Sequence, residues 1–239
     1  MNSPDLLSSR EWPRDAVWPW PWAVLIFLLI FIAGQAAAAF AFRMFWSRQP
    51  FDQLTMPLVL VAQIAMAGLT WLAVSARGAP ARVLLLGAPD GGTRRYLDAL
   101  AVFLPLIAVT NLVFWLISPE DMAKDFEQFR AIARAAEPLV PIVAICIGAP
   151  IAEELLFRGF LLPSLARSRL GFWPAAVITS ACWAAMHWTY SWLGLAEILV
   201  IGVFFSWVLR KTNSLRVPMF WHAAYNSVLF LEMRYGLVT

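Results

Sequence analysis

Seven stretches of this chain are apolar over nearly the length a bilayer requires, and that restricts the fold before any single residue is weighed. Between Trp18 and Phe42 no Asp, Glu, Lys or Arg interrupts the sequence. Comparable runs follow at Leu54–Ala76, Tyr96–Ile117, Leu139–Leu165, Trp173–Trp188, Leu193–Leu209 and Val217–Tyr235. A helix rises about 1.5 Å per residue, so runs of about 17–25 residues match a hydrocarbon core about 30 Å thick. Backbone polar groups in that medium must be satisfied within the spanning structure, which leaves helices or closed barrels. The short alternating segments of a barrel are absent from the sequence. With 61% apolar and 14% charged residues and a mean hydropathy of +0.70, the composition also lies outside that of soluble domains. The chain therefore reads as all-α, a polytopic transmembrane helical bundle of about seven spans.

The first run carries Ala37-Ala38-Ala39, but its apolar core is long for a signal peptide, and Asp5, Glu11 and Asp15 precede it. An uncleaved first span is expected. Trp18, Trp20 and Trp22, interleaved with prolines, suit an interfacial aromatic belt. Of the 18 Lys and Arg residues, Arg43, Arg48, Lys124, Arg130, Arg134 and Arg234 fall on one side and the other twelve on the side of the N-terminus. That asymmetry favours a cytoplasmic N-terminus. The basic residues form no patch, so nucleic acid is not an expected partner. Pro119 to Glu137 is too charged to span. Phe126, Phe129, Ile132, Ala133 and Ala136 recur there at helical spacing, as in a surface-lying amphipathic helix or lid, with a solvated connector as the alternative. Cys146 and Cys182 fall in separate runs without a CxxC pattern and are expected to be buried packing residues.

Ionisable groups are costly in hydrocarbon, and three of the runs contain them. They are Glu153-Glu154-x-x-x-Arg158, His187, and His222-x-x-x-Asn226; the two histidines are the only ones in the chain. Residues four apart share a helix face, so Glu154 can pair with Arg158 and His222 lies beside Asn226. Glu153 then points about 100° away from Glu154 and is available for another task. Measured from a turn near Ser168–Phe172, Glu154 and His187 both lie at a depth of about 16–21 Å. One cavity opening toward that turn is expected to hold the whole set. A carboxylate that takes a proton from water, with imidazole and amide donors near a developing oxyanion, suits hydrolysis. Zinc held by His187, His222 and Glu153 is one option and a metal-free site the other, since HExxH is missing. Gln35, Gln63 and Asn111 read as helix-packing polar residues and Glu197 as interfacial.

Taken in order, Glu153-Glu154-x-x-x-Arg158, Ser180-x-x-Trp183-x-x-x-His187 and Thr212-Asn213-Ser214-Leu215 leading into His222-x-x-x-Asn226 resemble the CPBP family. These are the CAAX-processing and bacteriocin-processing intramembrane proteases, which include the eukaryotic Ras-converting enzyme. The resemblance covers roughly Pro141 to Leu231. It implies a four-helix catalytic core within residues 138–239, preceded by a three-span region and amphipathic connector over residues 1–137. It also implies a glutamate-dependent intramembrane endopeptidase. Glu153 would be the water-activating residue, His187, His222 and Asn226 would bind the oxyanion and hold the water, and Glu154 and Arg158 would be supporting positions. Trp183 stands where the family usually has phenylalanine, which leaves the shape of the cavity open rather than its chemistry.

The expected partners are therefore the lipid bilayer and a peptide or protein substrate, with or without a lipid. A bacterial plasma membrane is the expected location. Two rival readings remain: a non-catalytic scaffold or immunity-type protein that binds a peptide or membrane partner, and a small transporter with a proton relay. The paired repeats and broken helices of a transporter are not apparent in the sequence.

Overall fold

The computed structural model describes residues 18–47, 51–134 and 138–236, and among them every regular element is helical. The helices are α1 (Trp20–Ala41, extended by a π-turn to Trp46), α2 (Phe51–Ser75), the short α3 (Pro80–Val83), α4 (Arg94–Ile117) and α5 (Pro119–Ala133). They continue with α6 (Leu139–Ala166), α7 (Phe172–Ala185), α8 (Trp192–Thr212) and α9 (Arg216–Tyr235). Each of the seven expected spans falls on a helix. Five of them, α1, α2, α4, α6 and α8, are long and apolar enough to cross a membrane. The protein is an integral membrane protein. The other two differ for identifiable reasons. α7 has only 14 residues, about 21 Å of rise, while α9 has 20 residues but carries His222, Asn226, Glu232 and Arg234.

The core is centred on α6. Leu156, Phe157 and Leu162 are fully buried there and pack with Phe172, Phe205, Leu209 and Leu215. α6 is irregular, with π-turns over Val143–Gly148 and Glu154–Leu161 and prolines at 141, 150 and 163. π-turns insert a residue and re-aim the side chains that follow, a device frequent at functional sites. At its far end, α8 stops at Asn213, which takes the left-handed conformation with φ 50°. Ser214 then donates to the Gly87 carbonyl at 2.7 Å and the Leu215 N–H to that of Leu85 at 2.8 Å. The Thr212–Leu215 motif is thus a turn that ties α8 and α9 to the loop before α4.

α5 forms the expected helix and is packed rather than solvated. Phe126 and Phe129 are half-buried and Ala133 is buried, while the Ile132 side chain and Ala136 lie outside the described residues. Asp125, only 5% exposed, accepts from the Ser191 N–H at 2.9 Å and from its hydroxyl at 2.7 Å. Ser191 caps α8 by accepting from the Gly194 N–H at 3.1 Å. Asp125 therefore latches α5 over the start of α8. One expectation fails: Cys146 is buried, but Cys182 is exposed, because it lies with Ala181 and Ala185 on the side of α7 turned away from the bundle.

Candidate active site

Glu153 and Glu154 are neighbours on α6 with separate surroundings. Glu154 is fully buried, and its Oε1 accepts from Arg158 Nη1 at 3.0 Å, the expected pair one turn apart. The same oxygen lies 3.0 Å from His222 Nδ1, so α6 and α9 are joined through it. A carboxylate only accepts here, which assigns the Nδ1 proton to His222 and directs Nε2 toward Glu153 Oε2, 3.9 Å away. Glu153 takes the other direction and lines a cavity of about 800 Å³ together with His187, His222 and Asn226. Glu154 and Arg158 do not line it. The division between one paired carboxylate and one that faces a chamber is the division the spacing predicts.

His187 lies just beyond the last turn of α7, where its Nδ1 is 3.0 Å from the Trp183 carbonyl. A carbonyl cannot donate, so Nδ1 again carries the proton and Nε2 is left as an acceptor in the neutral ring. Asn226 Nδ2 donates to the Ile145 carbonyl at 2.9 Å. That carbonyl needs the bond. In the π-turn of α6 the Ala149 N–H reaches Ala144, and the next residue, Pro150, has no N–H to offer Ile145. The Asn226 amide retains a second N–H for the chamber. Oxyanion donation from either imidazole would require a proton on Nε2.

Trp183 touches most of these groups. Its indole N–H donates to Glu153 Oε2 in a short bond, and the Arg158 guanidinium carbon lies 4.3 Å from its ring centroid. The rings of His187 and His222 stand edge-on to it at 5.5 and 5.4 Å. The sequence assigned Trp183 to cavity shape alone; the correction is that its N–H reaches the candidate glutamate, a contact phenylalanine lacks. Arg158 Nε and Nη2, Glu154 Oε2 and Ser180 Oγ are buried with no hydrogen-bond partner among the described residues. A Cβ on Gly202 would meet both Arg158 Nη2 and Ser180 Oγ at 2.9 Å, so only glycine fits there.

The chamber extends well beyond the motif residues. Gln35 and Phe42 of α1, Gln63 and Met66 of α2, Phe126 and Phe129 of α5 and Glu197 of α8 line it. Glu197, expected from the sequence to be interfacial, is instead an internal residue. It accepts from Thr110 Oγ1 at 3.1 Å and Asn111 Nδ2 at 3.0 Å and joins α4 to α8 inside the protein. Burial, with the carboxylates of Asp125 and Glu153 nearby, pushes the Tyr190 hydroxyl in the α7–α8 turn up to about 12. These wall residues belong to no motif, and the signal that would find them is a polar residue on the inward side of an otherwise apolar helix.

The wall is completed by Ile145 and Ala149 of α6, Phe114 of α4, Tyr190 in the α7–α8 turn and Met233 of α9. The zinc set does not assemble. Among the described residues no three His, Cys, Asp or Glu side chains are grouped to hold a metal ion. The residues present do not fit a metal site.

Residues 135–228 match the family model described as type II CAAX prenyl endopeptidase Rce1-like. Curated relatives are similar over parts of the chain. An "Uncharacterized 24.3 kDa protein" of Escherichia coli is 36% identical over 87 residues, 35% of this chain and 40% of its own length. The "UPF0177 protein YxdF" of Lactococcus lactis is 30% identical over 77 residues, covering 32% and 41%. The "Uncharacterized protein YyaK" of Bacillus subtilis is 31% identical over 140 residues, covering 54% and 44%. The matched part of the chain thus spans about two fifths of the length of these relatives. No solved structure matches significantly.

Proposed function

We propose that this chain, whose residues 135–228 form an Rce1-like domain of the CPBP family, is an intramembrane endopeptidase that hydrolyses peptide bonds with water activated by Glu153. The observation that carries this reading is the split between the two adjacent glutamates. Glu154 is bound to Arg158 and His222, whereas Glu153 faces an apolar chamber beside His187, His222 and Asn226.

Glu153 takes a proton from water as the oxygen attacks the scissile carbonyl carbon. The oxyanion is stabilised by the second N–H of Asn226 and by an imidazole protonated at Nε2. Glu153 then passes its proton to the leaving amine, and the C–N bond breaks. Glu154 fixes the His222 tautomer through Nδ1, and Arg158 holds Glu154. Apolar wall residues from α1, α2 and α5 suit a hydrophobic peptide or a membrane-associated protein segment, with or without a lipid. The membrane is read as a bacterial plasma membrane, with the N-terminus cytoplasmic.

The test is cleavage of a diverse quenched peptide panel, isoprenylated and plain, by the purified chain in lipid. Cleavage is expected in the wild type, with a loss of about 10²–10⁴-fold in kcat for Glu153→Ala. A chelator arm is expected to leave the rate unchanged. A Glu153→Ala variant that cleaves like wild type would sink the reading, and a wild type that cleaves no peptide would favour the scaffold.

A further inference from the structure

We propose that Trp183 is a positioning residue for Glu153, holding one carboxylate oxygen through its indole N–H so that the other is presented to the reacting water. The proposal rests on the reading of Glu153 as the base. Four observations carry it. The indole is only 4% exposed and packs against Phe205 of α8 and His222 of α9 at the wall of the chamber. Its N–H donates to Glu153 Oε2, the same oxygen that faces His222 Nε2 at 3.9 Å, which leaves Oε1 toward the chamber. Indole N–H donates and never accepts, so this contact cannot take the catalytic proton and keeps its sense throughout a cycle.

The fourth observation concerns what holds the tryptophan. Arg158 is fully buried, and only its Nη1 has a hydrogen-bond partner among the described residues. The guanidinium carbon lies over the Trp183 ring, 4.3 Å from the centroid, as a desolvated cation–π pair. Arg158 thereby orients both glutamates, Glu154 by a direct ion pair and Glu153 through the indole. A phenylalanine at this position would keep an aromatic ring there but lose the N–H and part of the ring volume, whereas an isostere with sulfur in place of the N–H loses the bond to Glu153 alone. Shape and hydrogen bonding are therefore separable at this one side chain.

The test uses the full chain in lipid with three replacements: β-(3-benzothienyl)alanine in place of Trp183, Trp183→Phe and Glu153→Gln. The first is nearly isosteric with tryptophan but has sulfur where the N–H was. Two readouts are taken, kcat and KM on a cleaved peptide, and the infrared carboxylate band of Glu153, identified by its loss in Glu153→Gln. We expect both Trp183 replacements to lower kcat by about tenfold or more, the scale of one hydrogen bond to a charged group, with KM little changed. The Glu153 band should shift in both. A packing role alone would leave the isostere at wild-type kcat with an unshifted band, and that result overturns the proposal. Cleavage that survives Glu153→Gln, or a wild type that cleaves nothing, overturns the base reading on which the proposal rests. In that case the band still decides whether Trp183 fixes the Glu153 carboxylate.

Discussion

α4 and α6 are both apolar helices long enough to cross a bilayer, yet they are built for different surroundings. Within its most apolar 18-residue stretch α4 is 11% buried, whereas α6 is 44% buried. α4 turns Leu104, Leu112, Trp115 and Leu116 outward and contributes Thr110 and Asn111 inward to Glu197. α6 buries Glu153, Glu154 and Arg158 and bends through two π-turns around them. The contrast teaches that in hydrocarbon a polar group goes where another element can meet it. The helix that holds the buried charges is far more enclosed by protein than the one that turns its leucines outward.

The largest test of this contrast is Arg158→Met. Removing one member of a buried pair leaves the Glu154 charge uncompensated, and a stability loss of about 3–5 kcal/mol is expected in detergent unfolding. The double replacement with Glu154→Leu should recover part of it, because the orphaned charge is gone. A smaller effect is expected from Asp125→Ala at the edge of the chamber. Two hydrogen bonds to Ser191 are lost and α5 is released from α8, for about 1–3 kcal/mol. Faster proteolysis within α5 would report the release directly. The smallest effect belongs to α4, where Leu112→Ala on the outward face should stay within about 0.5 kcal/mol. A loss at Leu112 comparable to that at Arg158 would break the comparison.

Much of this arrangement was legible in the residues themselves. Apolar run lengths gave the helices, and the i, i+4 spacings gave the Glu154–Arg158 pair and the separation of Glu153 from it. The motif order gave a set of residues that do line one chamber. What was hidden depended on local backbone chemistry and on helix length. The run at Trp173–Trp188 marks a span but does not tell that its helix stops at Ala185 and leaves His187 in the turn beyond it. Pro150 was visible, but its consequence, a carbonyl at Ile145 that Asn226 must satisfy, depends on the π-turn around it. Trp183 was read as bearing on the shape of the cavity and not on its chemistry, since nothing in a single sequence tells which atom its N–H will meet. Glu197 was assigned to an interface because its partners, Thr110 and Asn111, lie 87 and 86 positions away.

The central claim is that Glu153 acts on water and does not itself attack the peptide. It is tested most directly by single-turnover cleavage in H₂¹⁸O, with mass analysis of the product and of the peptide containing Glu153. The account predicts one ¹⁸O in the new product carboxylate and none in Glu153. An ¹⁸O found in Glu153, with ¹⁶O delivered to the product, would mean a covalent acyl intermediate and would contradict it.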